Sequence, residues 1–253
     1  MILLYKLTLA PALVVLATLA GRRWGQTVAG LVAGFPIVAG PILVFYALEQ
    51  GPLYAAAAAQ ATILGMISLS LFALAYAWRA WMGGTALSCV IAGWLLFALG
   101  TLMIMRVHGH LALAVLWALA ALFLARRSLP ALVETPSATA PSPWDLPLRA
   151  VSAALMVLIL THFAEALGPV LGGFLAPFPV ASTVLAVFAQ RQGGGAAAVA
   201  VLKGLLLALN SFVAFCAVLC LALPTQSAAF SFSVALAVAV AVQAALFWMT
   251  QKR

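Results

Sequence analysis

Acidic side chains are almost absent from this sequence, with four Asp and Glu among 253 residues. Charged residues of both signs make up 6% of the chain, whereas a soluble globular domain carries about 25%. This scarcity excludes a soluble domain. With 67% hydrophobic residues and a mean hydropathy of +1.22, the composition predicts an all-α, multi-pass membrane protein, placed here in a bacterial inner membrane.

Enzyme signatures are also missing. The sequence has no His-Glu-x-x-His helix, no Gly-x-Ser-x-Gly elbow and no phosphate-binding Gly-x-x-x-x-Gly-Lys loop. The three cysteines sit inside apolar runs and are interpreted as small buried hydrophobes. The twelve Lys and Arg form no basic face with interleaved aromatics. We therefore expect no enzyme, no cofactor, no metal site and no nucleic-acid partner.

Two apolar stretches, residues 25–51 and 168–194, are long enough to cross a bilayer but carry helix-breaking residues in the middle. Proline lacks an N–H and clashes with the preceding turn, and glycine loosens the backbone further. A broken span must face protein or a water-filled cavity, because unsatisfied backbone groups are costly in hydrocarbon. The residues assigned to the two breaks are Phe35, Pro36, Gly40, Pro41, Phe178, Pro179, Ser182 and Thr183.

The two stretches match at a constant offset of 143 residues, which predicts an internal duplication. The Phe-Pro pair and three glycines recur in register, and such matches are harder to obtain by chance than Ala or Leu matches. Two interrupted spans in corresponding positions of two halves indicate a transporter's binding site. Proline kinks that serve only packing are the alternative. The main matches are Gly25, Gly30, Phe35, Pro36 and Gly51 with Gly168, Gly173, Phe178, Pro179 and Gly194.

Nine spans can be drawn, and the four spans of residues 1–107 match the four of residues 148–253. Residues 108–147 contribute a connector helix and a cytoplasmic linker. Because an odd helix lies between the copies, the second copy enters the membrane from the opposite side, as an inverted repeat with broken helices 2 and 7. The linker, residues 126–149, is rich in Pro, Ser and Thr and is expected to be exposed and mostly irregular. The spans are 3–21, 26–48, 53–78, 85–105, 109–126, 148–167, 169–190, 195–222 and 227–249.

Basic residues are divided unevenly between the two ends of these spans. Lys6 and Arg106 lie at one end, and nine Lys and Arg lie at the other. The positive-inside rule places the richer end in the cytoplasm, with the N-terminus outside and the C-terminus inside. The nine are Arg22, Arg23, Arg79, Arg126, Arg127, Arg149, Arg191, Lys252 and Arg253.

Lys203 is the one cation deep inside a predicted span, and the repeat aligns it with Gln60. An ammonium at this depth tends to face a cavity, although a lysine snorkelling to the headgroups is an equal alternative. We predict that it points between the two breaks, where it could attract an anion, stand in for a coupling cation beside freed carbonyls, or take part in proton coupling. Asn210 is a further candidate, and Ser68 and Ser211 are weaker ones because membrane serines commonly bond their own helix.

The arrangement resembles the broken-helix, inverted-repeat secondary transporters, such as sodium–proton antiporters, bile-acid symporters and auxin efflux carriers. Phe35-Pro36 and Phe178-Pro179 lie five spans apart, as the discontinuous helices of those folds do, and Lys203 resembles a lysine that some antiporters keep. The antiporter aspartates are missing, since Gln60 stands in the first-half position. The chain also resembles uncharacterised bacterial inner-membrane proteins that carry a duplicated Gly/Phe-Pro span.

From these patterns we expect a secondary transporter that moves a small anionic or zwitterionic solute by alternating access. The alternatives are a flippase or channel for lipids or metabolites, and a membrane subunit that transports nothing. Membrane lipids and the solute are the expected partners, while proton coupling and a homodimer stay open.

Overall fold

The computed structural model describes residues 2–36, 39–105, 110–131, 144–156, 158 and 178–251. Within these ranges every regular element is an α-helix. The helices are α1 (Ile2–Trp24), α2 (Gln26–Ala33), α3 (Ala39–Glu49), α4 (Pro52–Trp81), α5 (Ala86–Ile104), α6 (Leu111–Arg127), α7 (145–156), α8 (Val180–Ala222) and α9 (Ala228–Gln251).

Four of the described helices are long and apolar enough to cross a bilayer. They are Pro52–Trp81, Ala86–Ile104, Val180–Ala222 and Ala228–Trp248. The outer face of α5 is exposed and apolar, as expected of a surface that meets lipid tails rather than water. Helices of this length and composition support a helical membrane protein. The exposed residues of α5 include Leu87, Ile91, Leu95, Leu99 and Leu102.

The break predicted in the first stretch is present. Helix α2 ends at Ala33, residues 34–36 form turns, and helical backbone resumes at Ala39. The cause is local: Pro36 has no N–H to donate, and the Phe35 N–H bonds to the Val32 carbonyl at 3.2 Å, one residue closer than an α-helix requires.

Within α8, two helices meet at a kink formed by Gly193 and Gly194; they correspond to the described part of the seventh predicted span and to the eighth. We call residues 180–192 α8a and residues 195–222 α8b. Gly194 has φ 70° and ψ −170°, a region that is essentially restricted to glycine. Gly51, its match at the 143-residue offset, has φ 94° and ψ 164° and separates α3 from α4. Corresponding helices therefore meet at glycines with similar backbone geometry.

The end of the linker that leads into α7 differs from the expectation of an exposed, irregular segment. Helix α6 continues to Arg127, and α7 begins at residue 145. Asp145 and Arg149, both assigned to the exposed linker, are 4% and 3% exposed. Their opposite charges pair one helical turn apart, and Arg22 and Gln192 of other helices complete their hydrogen bonds in the buried site. The rest of the linker, residues 132–143, lies outside the described residues.

Helices α4 and α8b run antiparallel at the centre of the fold. The Cys220 thiol, near the end of α8b, lies 3.4 Å from the Ala56 carbonyl at the start of α4. At the opposite end, Gly195 packs against the backbone of Ala80, so closely that an added Cβ would lie 2.4 Å from its carbonyl oxygen. The largest buried side chains between these ends include Tyr76, Phe72, Ile63, Met66, Leu202, Leu206 and Leu209.

Helix α2 packs on α8b through glycines. A Cβ added to Gly30 would lie 1.8 Å from the Val201 carbonyl oxygen, and one added to Gly204 would lie 1.8 Å from that of Thr27. Any larger side chain would push the two backbones apart. Small residues allow such close approach between membrane helices, where packing replaces the hydrophobic effect as the source of association.

Candidate functional site

The first break lies against α8b and is bonded by α9. Gly34 packs against Leu205 and Ala208 of α8b. The Leu31 carbonyl, which the Phe35 N–H leaves free by bonding Val32 instead, accepts a hydrogen bond of 3.3 Å from Gln243 Nε2. A side chain of another helix thus satisfies a backbone group that the break releases.

Gln243 is held in turn by α8b. Ser211 Oγ donates to Gln243 Oε1 at 2.9 Å, and the same hydroxyl lies 2.7 Å from the Ala208 carbonyl. The amide therefore connects α2, α8b and α9 at the first break. Phe35 is half-buried beside this network and Pro36 is buried.

At the described side of the second break, Phe178 contacts aromatic rings of α5. The ring of Phe178 makes edge-to-face contacts with Trp94 and Phe97, with centroids 5.1 and 5.4 Å apart. Trp94 Nε1 donates a hydrogen bond of 3.2 Å to Thr183 Oγ1. Buried tryptophan needs a partner for its N–H, and here the hydroxyl after the break supplies it.

Groups in the first turn of α8a form hydrogen bonds with the carbonyl of Pro179. The buried Pro179 carbonyl accepts from the Thr183 N–H at 2.9 Å and from Ser182 Oγ at 3.3 Å. Ser182 and Thr183 are 5% and 4% exposed. The Ser182 hydroxyl thus bonds a backbone group at the start of its own helix. Residues 168–177, the first part of this predicted span, lie outside the described residues.

The flanks of the two breaks belong to one apolar cluster. Val32 and Ala33, at the end of α2, pack with Ala181, Val184 and Leu185 of α8a. Residues of α1 and α7 complete the cluster. The structure therefore brings the end of the first half-helix beside the beginning of α8a.

Lys203 lies on α8b close to the position where the first break packs against this helix, but its side chain is exposed. Its neighbours Leu202 and Gly204 are buried, and Gly204 faces Thr27 of α2. The first break is level with Leu205 and Ala208, roughly one turn further along α8b. Within the described residues, no hydrogen bond or ion pair reaches the Lys203 ammonium. Its match, Gln60, is half-buried on α4.

The remaining candidates have local roles in the structure. Asn210 Nδ2 donates to the Leu206 and Leu207 carbonyls of its own helix at 3.1 and 2.9 Å, and so it is bonded within α8b. Gly40 is buried in α3 with room for a Cβ, since the nearest atom would be Phe215 Cζ at 3.7 Å. Pro41 occupies the first turn of α3, where proline is tolerated. Its side chain is outside the description.

Gln243 and Trp94 were missed by the sequence reasoning. Gln243 is a polar side chain well inside a long apolar run, which is a usable signal in a membrane span. Trp94 gave no such signal, because tryptophan is common in apolar helices. Its importance comes from a tertiary contact with Thr183, which has no sequence periodicity.

The two breaks carry little charge. Among the described residues, no group of three or more His, Cys, Asp or Glu is placed to hold a metal ion. The described polar groups at the breaks are hydroxyls, an amide, an indole N–H and backbone groups. Such a surface can hydrogen-bond a solute but supplies no carboxylate that would hold a cation.

Comparison with known proteins identifies no relative of this chain. No family model, no curated protein and no solved structure matches it.

Proposed function

We propose that this chain is a secondary transporter of the bacterial inner membrane, with nine spans in two inverted repeats. It moves a small anionic or zwitterionic solute by alternating access, with the solute held between the two breaks. The observation that carries the proposal is the antiparallel packing of α4 and α8b. Two copies of one helix can pack in this way when their repeats enter the membrane from opposite sides.

The contacts between these two helices are reciprocal. The 143-residue offset aligns Ala56 with Val199 and Cys220 with Ala77, so the start of each copy meets the end of the other. An axis in the membrane plane between α4 and α8b would produce this pairing. The similar backbone of Gly51 and Gly194 gives independent support, because it marks the same junction in both halves.

A matched serine on each of the two central helices makes an interhelical hydrogen bond. Ser68 on α4 bonds Thr101 on α5 at 3.0 Å, and Ser211 on α8b bonds Gln243 on α9 at 2.9 Å. Ser68 and Ser211 are matched residues. Each serine thus connects its helix to the next one, although the partners Thr101 and Gln243 stand one residue out of register. The recurrence of the serine favours a duplicated unit over two unrelated halves.

Each break is bonded by a helix of the opposite half. Gln243 in the second half binds the Leu31 carbonyl of the first break, and Trp94 in the first half binds Thr183 of the second. Rocking of one half against the other would therefore change both breaks together. This coupling is what alternating access requires of a central site.

The preference for an anionic or zwitterionic solute rests on charge. Described helices begin beside both breaks, α3 at Ala39 and α8a at Val180, and helix N-termini favour negative charge. Lys203 adds a cation within about a turn of the first break. Lys203 and Gln60 remain the proposed long polar side chains of the solute pathway.

The cytoplasmic side is assigned to the end that carries Arg22, Arg79 and Arg149. Contacts place these segments together: Arg22 pairs with Asp145 at 2.7 Å, and Trp78 donates to the Ser128 carbonyl at 2.8 Å. Exposed tryptophans occur in the same segments, as at membrane interfaces. They are Trp24, Trp78, Trp81 and Trp144.

Solute uptake by proteoliposomes tests the proposal. Purified protein is reconstituted and offered a panel of labelled anions, amino acids and cations, with protein-free liposomes as the blank. We expect saturable uptake of one anion or amino acid. Thr183→Val, which keeps the shape but removes the Trp94 acceptor, should reduce uptake, whereas Thr225→Val at an exposed position should not. Uptake of no panel member, or non-saturable leakage of many, would contradict the proposal.

A further inference from the structure

A buried ionic cluster joins three helices at the end assigned to the cytoplasm. Asp145, the only aspartate in the chain, accepts from Arg22 Nη2 at 2.7 Å, from Arg149 Nε at 3.0 Å to both oxygens, and from Gln192 Nε2 at 2.6 Å. Arg149 Nη2 also donates to Gln192 Oε1 at 3.0 Å. We call these four residues the Asp145 cluster.

The side chains of Asp145 and Arg149 are both 4% exposed, and that of Arg22 is 32% exposed. The Arg149 guanidinium also lies over the Phe188 ring, 4.8 Å from its centroid. Two charges removed from water at this depth are costly unless each is fully bonded, and here they are. Separating one member from the others would leave a buried charge without its partner, which is costly, and this cost favours the packed arrangement in which all four stay together.

The cluster lies next to the hinge of α8. Gln192 is the last residue of α8a, and Gly193 and Gly194 have non-helical backbone immediately after it. Phe188 and Gln192 connect α8a to α7, and Arg22 connects α7 to the end of α1. A rotation of α8a about the two glycines would have to pull Gln192 away from Asp145 and Arg149.

The same positions in the first half carry a different set of residues. The 143-residue offset aligns Arg149 with Lys6, Gln192 with Glu49 and Asp145 with Ile2. Glu49 is exposed, whereas Gln192 is half-buried and bonded to the cluster. The two matched positions therefore differ, since Gln192 is bonded to a buried ion pair and Glu49 is exposed.

We propose that the Asp145 cluster is the cytoplasmic gate of the transporter: it holds α1, α7 and α8a together in the state described here and separates when that end opens. This inference rests on the proposed function, which supplies the opening motion. It assigns to Asp145 and Arg149 a role in setting the populations of the two states, beyond holding the fold together.

Cysteine labelling tests the gate without any solute. Ala189 is buried in the apolar cluster beneath the Asp145 cluster and 0% exposed, so Ala189→Cys reports opening of this end. Ala118 on α6 is equally buried but packs in the separate central core, and Ala118→Cys is the matched control. Both are made in a background with Cys89, Cys216 and Cys220 replaced by alanine, and a maleimide is added to inside-out vesicles.

Asp145→Asn leaves Arg149 buried without its counter-charge and should raise the labelling rate of Ala189→Cys about tenfold, because 1.4 kcal/mol of lost closed-state stability shifts the population tenfold. Arg22→Gln removes a partly exposed member and should give a smaller rise. Labelling of Ala118→Cys should stay unchanged. If the Asp145→Asn variant fails to fold, the Arg22→Gln variant still tests the proposal.

Unchanged labelling of Ala189→Cys in folded variants would overturn the gate, and so would an equal rise at both cysteines, which indicates general loosening. Neither result depends on uptake. Transport with unchanged labelling would therefore reject the gate alone, whereas raised labelling at Ala189 without any transport in the solute panel would reject the proposed function alone.

Discussion

Gln243 Nε2 donates a hydrogen bond of 3.3 Å to the Leu31 carbonyl, which fastens the middle of α9 to the end of α2. The Leu31 carbonyl is one of the groups freed where Pro36 interrupts the helix. Broken helices are tolerated in membranes when neighbouring side chains satisfy such groups. The relationship explains how the first break stays ordered, and it suggests where the fold is most sensitive to single substitutions.

Replacing Gln243 by leucine should destabilise the protein. The change removes the partner of the Leu31 carbonyl and of Ser211 Oγ, and a buried polar group without a partner costs about 1–3 kcal/mol. Thermal unfolding in detergent measures the loss. The matched control is Gln226→Leu at an exposed position before α9, which should leave the midpoint almost unchanged. Equal midpoints for the two variants would contradict the role assigned to Gln243.

Replacing Gly30 or Gly204 by alanine should reduce the stability of the protein more than replacing Gln243 by leucine does. The added Cβ would meet a carbonyl oxygen at 1.8 Å in each case, so α2 and α8b must separate, and overpacking of this kind costs about 1–3 kcal/mol or more. Gly40→Ala provides the control, because its Cβ would meet only Phe215 Cζ at 3.7 Å. Thermal midpoints should fall for the first two variants and hold for the third. A stable Gly30→Ala protein would show that the helices are not in close contact.

Alanine substitution at the two junction glycines, Gly51 and Gly194, should destabilise the protein to a similar extent. Gly51→Ala and Gly194→Ala place a Cβ in a backbone region that L-residues rarely adopt, at a cost of about 1–3 kcal/mol each. No atom lies within 4 Å of either Cβ, so the cost comes from the backbone alone. Denaturation in detergent should give similar losses for both. A large loss at one glycine and none at the other would weaken the equivalence of the two junctions.

Much of the fold could be predicted from the sequence because its signals are local. Pro36 interrupts a helix through its own chemistry, Pro179 directly precedes the first residue of α8, and the matched glycines Gly51 and Gly194 lie at helix junctions. The pairing of Asp145 with Arg149 is an i, i+4 spacing, but its burial depends on Gln192 and Arg22, which are distant in the chain.

The direction in which individual side chains point could not be predicted in the same way. Almost every residue around Lys203 is Ala, Val, Leu or Gly, so α8b has no polar face from which its orientation could be read. The structure buries nearly all of these neighbours and leaves Lys203 exposed. The tertiary contacts of α8b with α2, α4 and α9 decide which side of the helix points inward.

Substitution of Lys203 should therefore separate activity from stability. Because the side chain is exposed and no described residue bonds it, Lys203→Met and Lys203→Gln should both fold with an unchanged thermal midpoint. If the ammonium serves the solute pathway, Lys203→Met loses uptake or its pH dependence. Lys203→Gln, which copies Gln60, should keep stability better than activity. Full uptake by both variants would return Lys203 to a lipid-facing role.

The inversion of the two halves is the claim on which the account depends, and labelling of matched residues tests it most directly. Leu48 and Arg191 correspond at the 143-residue offset, and both are exposed at the ends of α3 and α8a. Each is replaced by cysteine in a background without the native cysteines, and a membrane-impermeant maleimide is added to intact spheroplasts or to inside-out vesicles. We predict that Leu48→Cys reacts only in spheroplasts and Arg191→Cys only in inside-out vesicles. Reaction of both cysteines from the same side would contradict the inverted repeat.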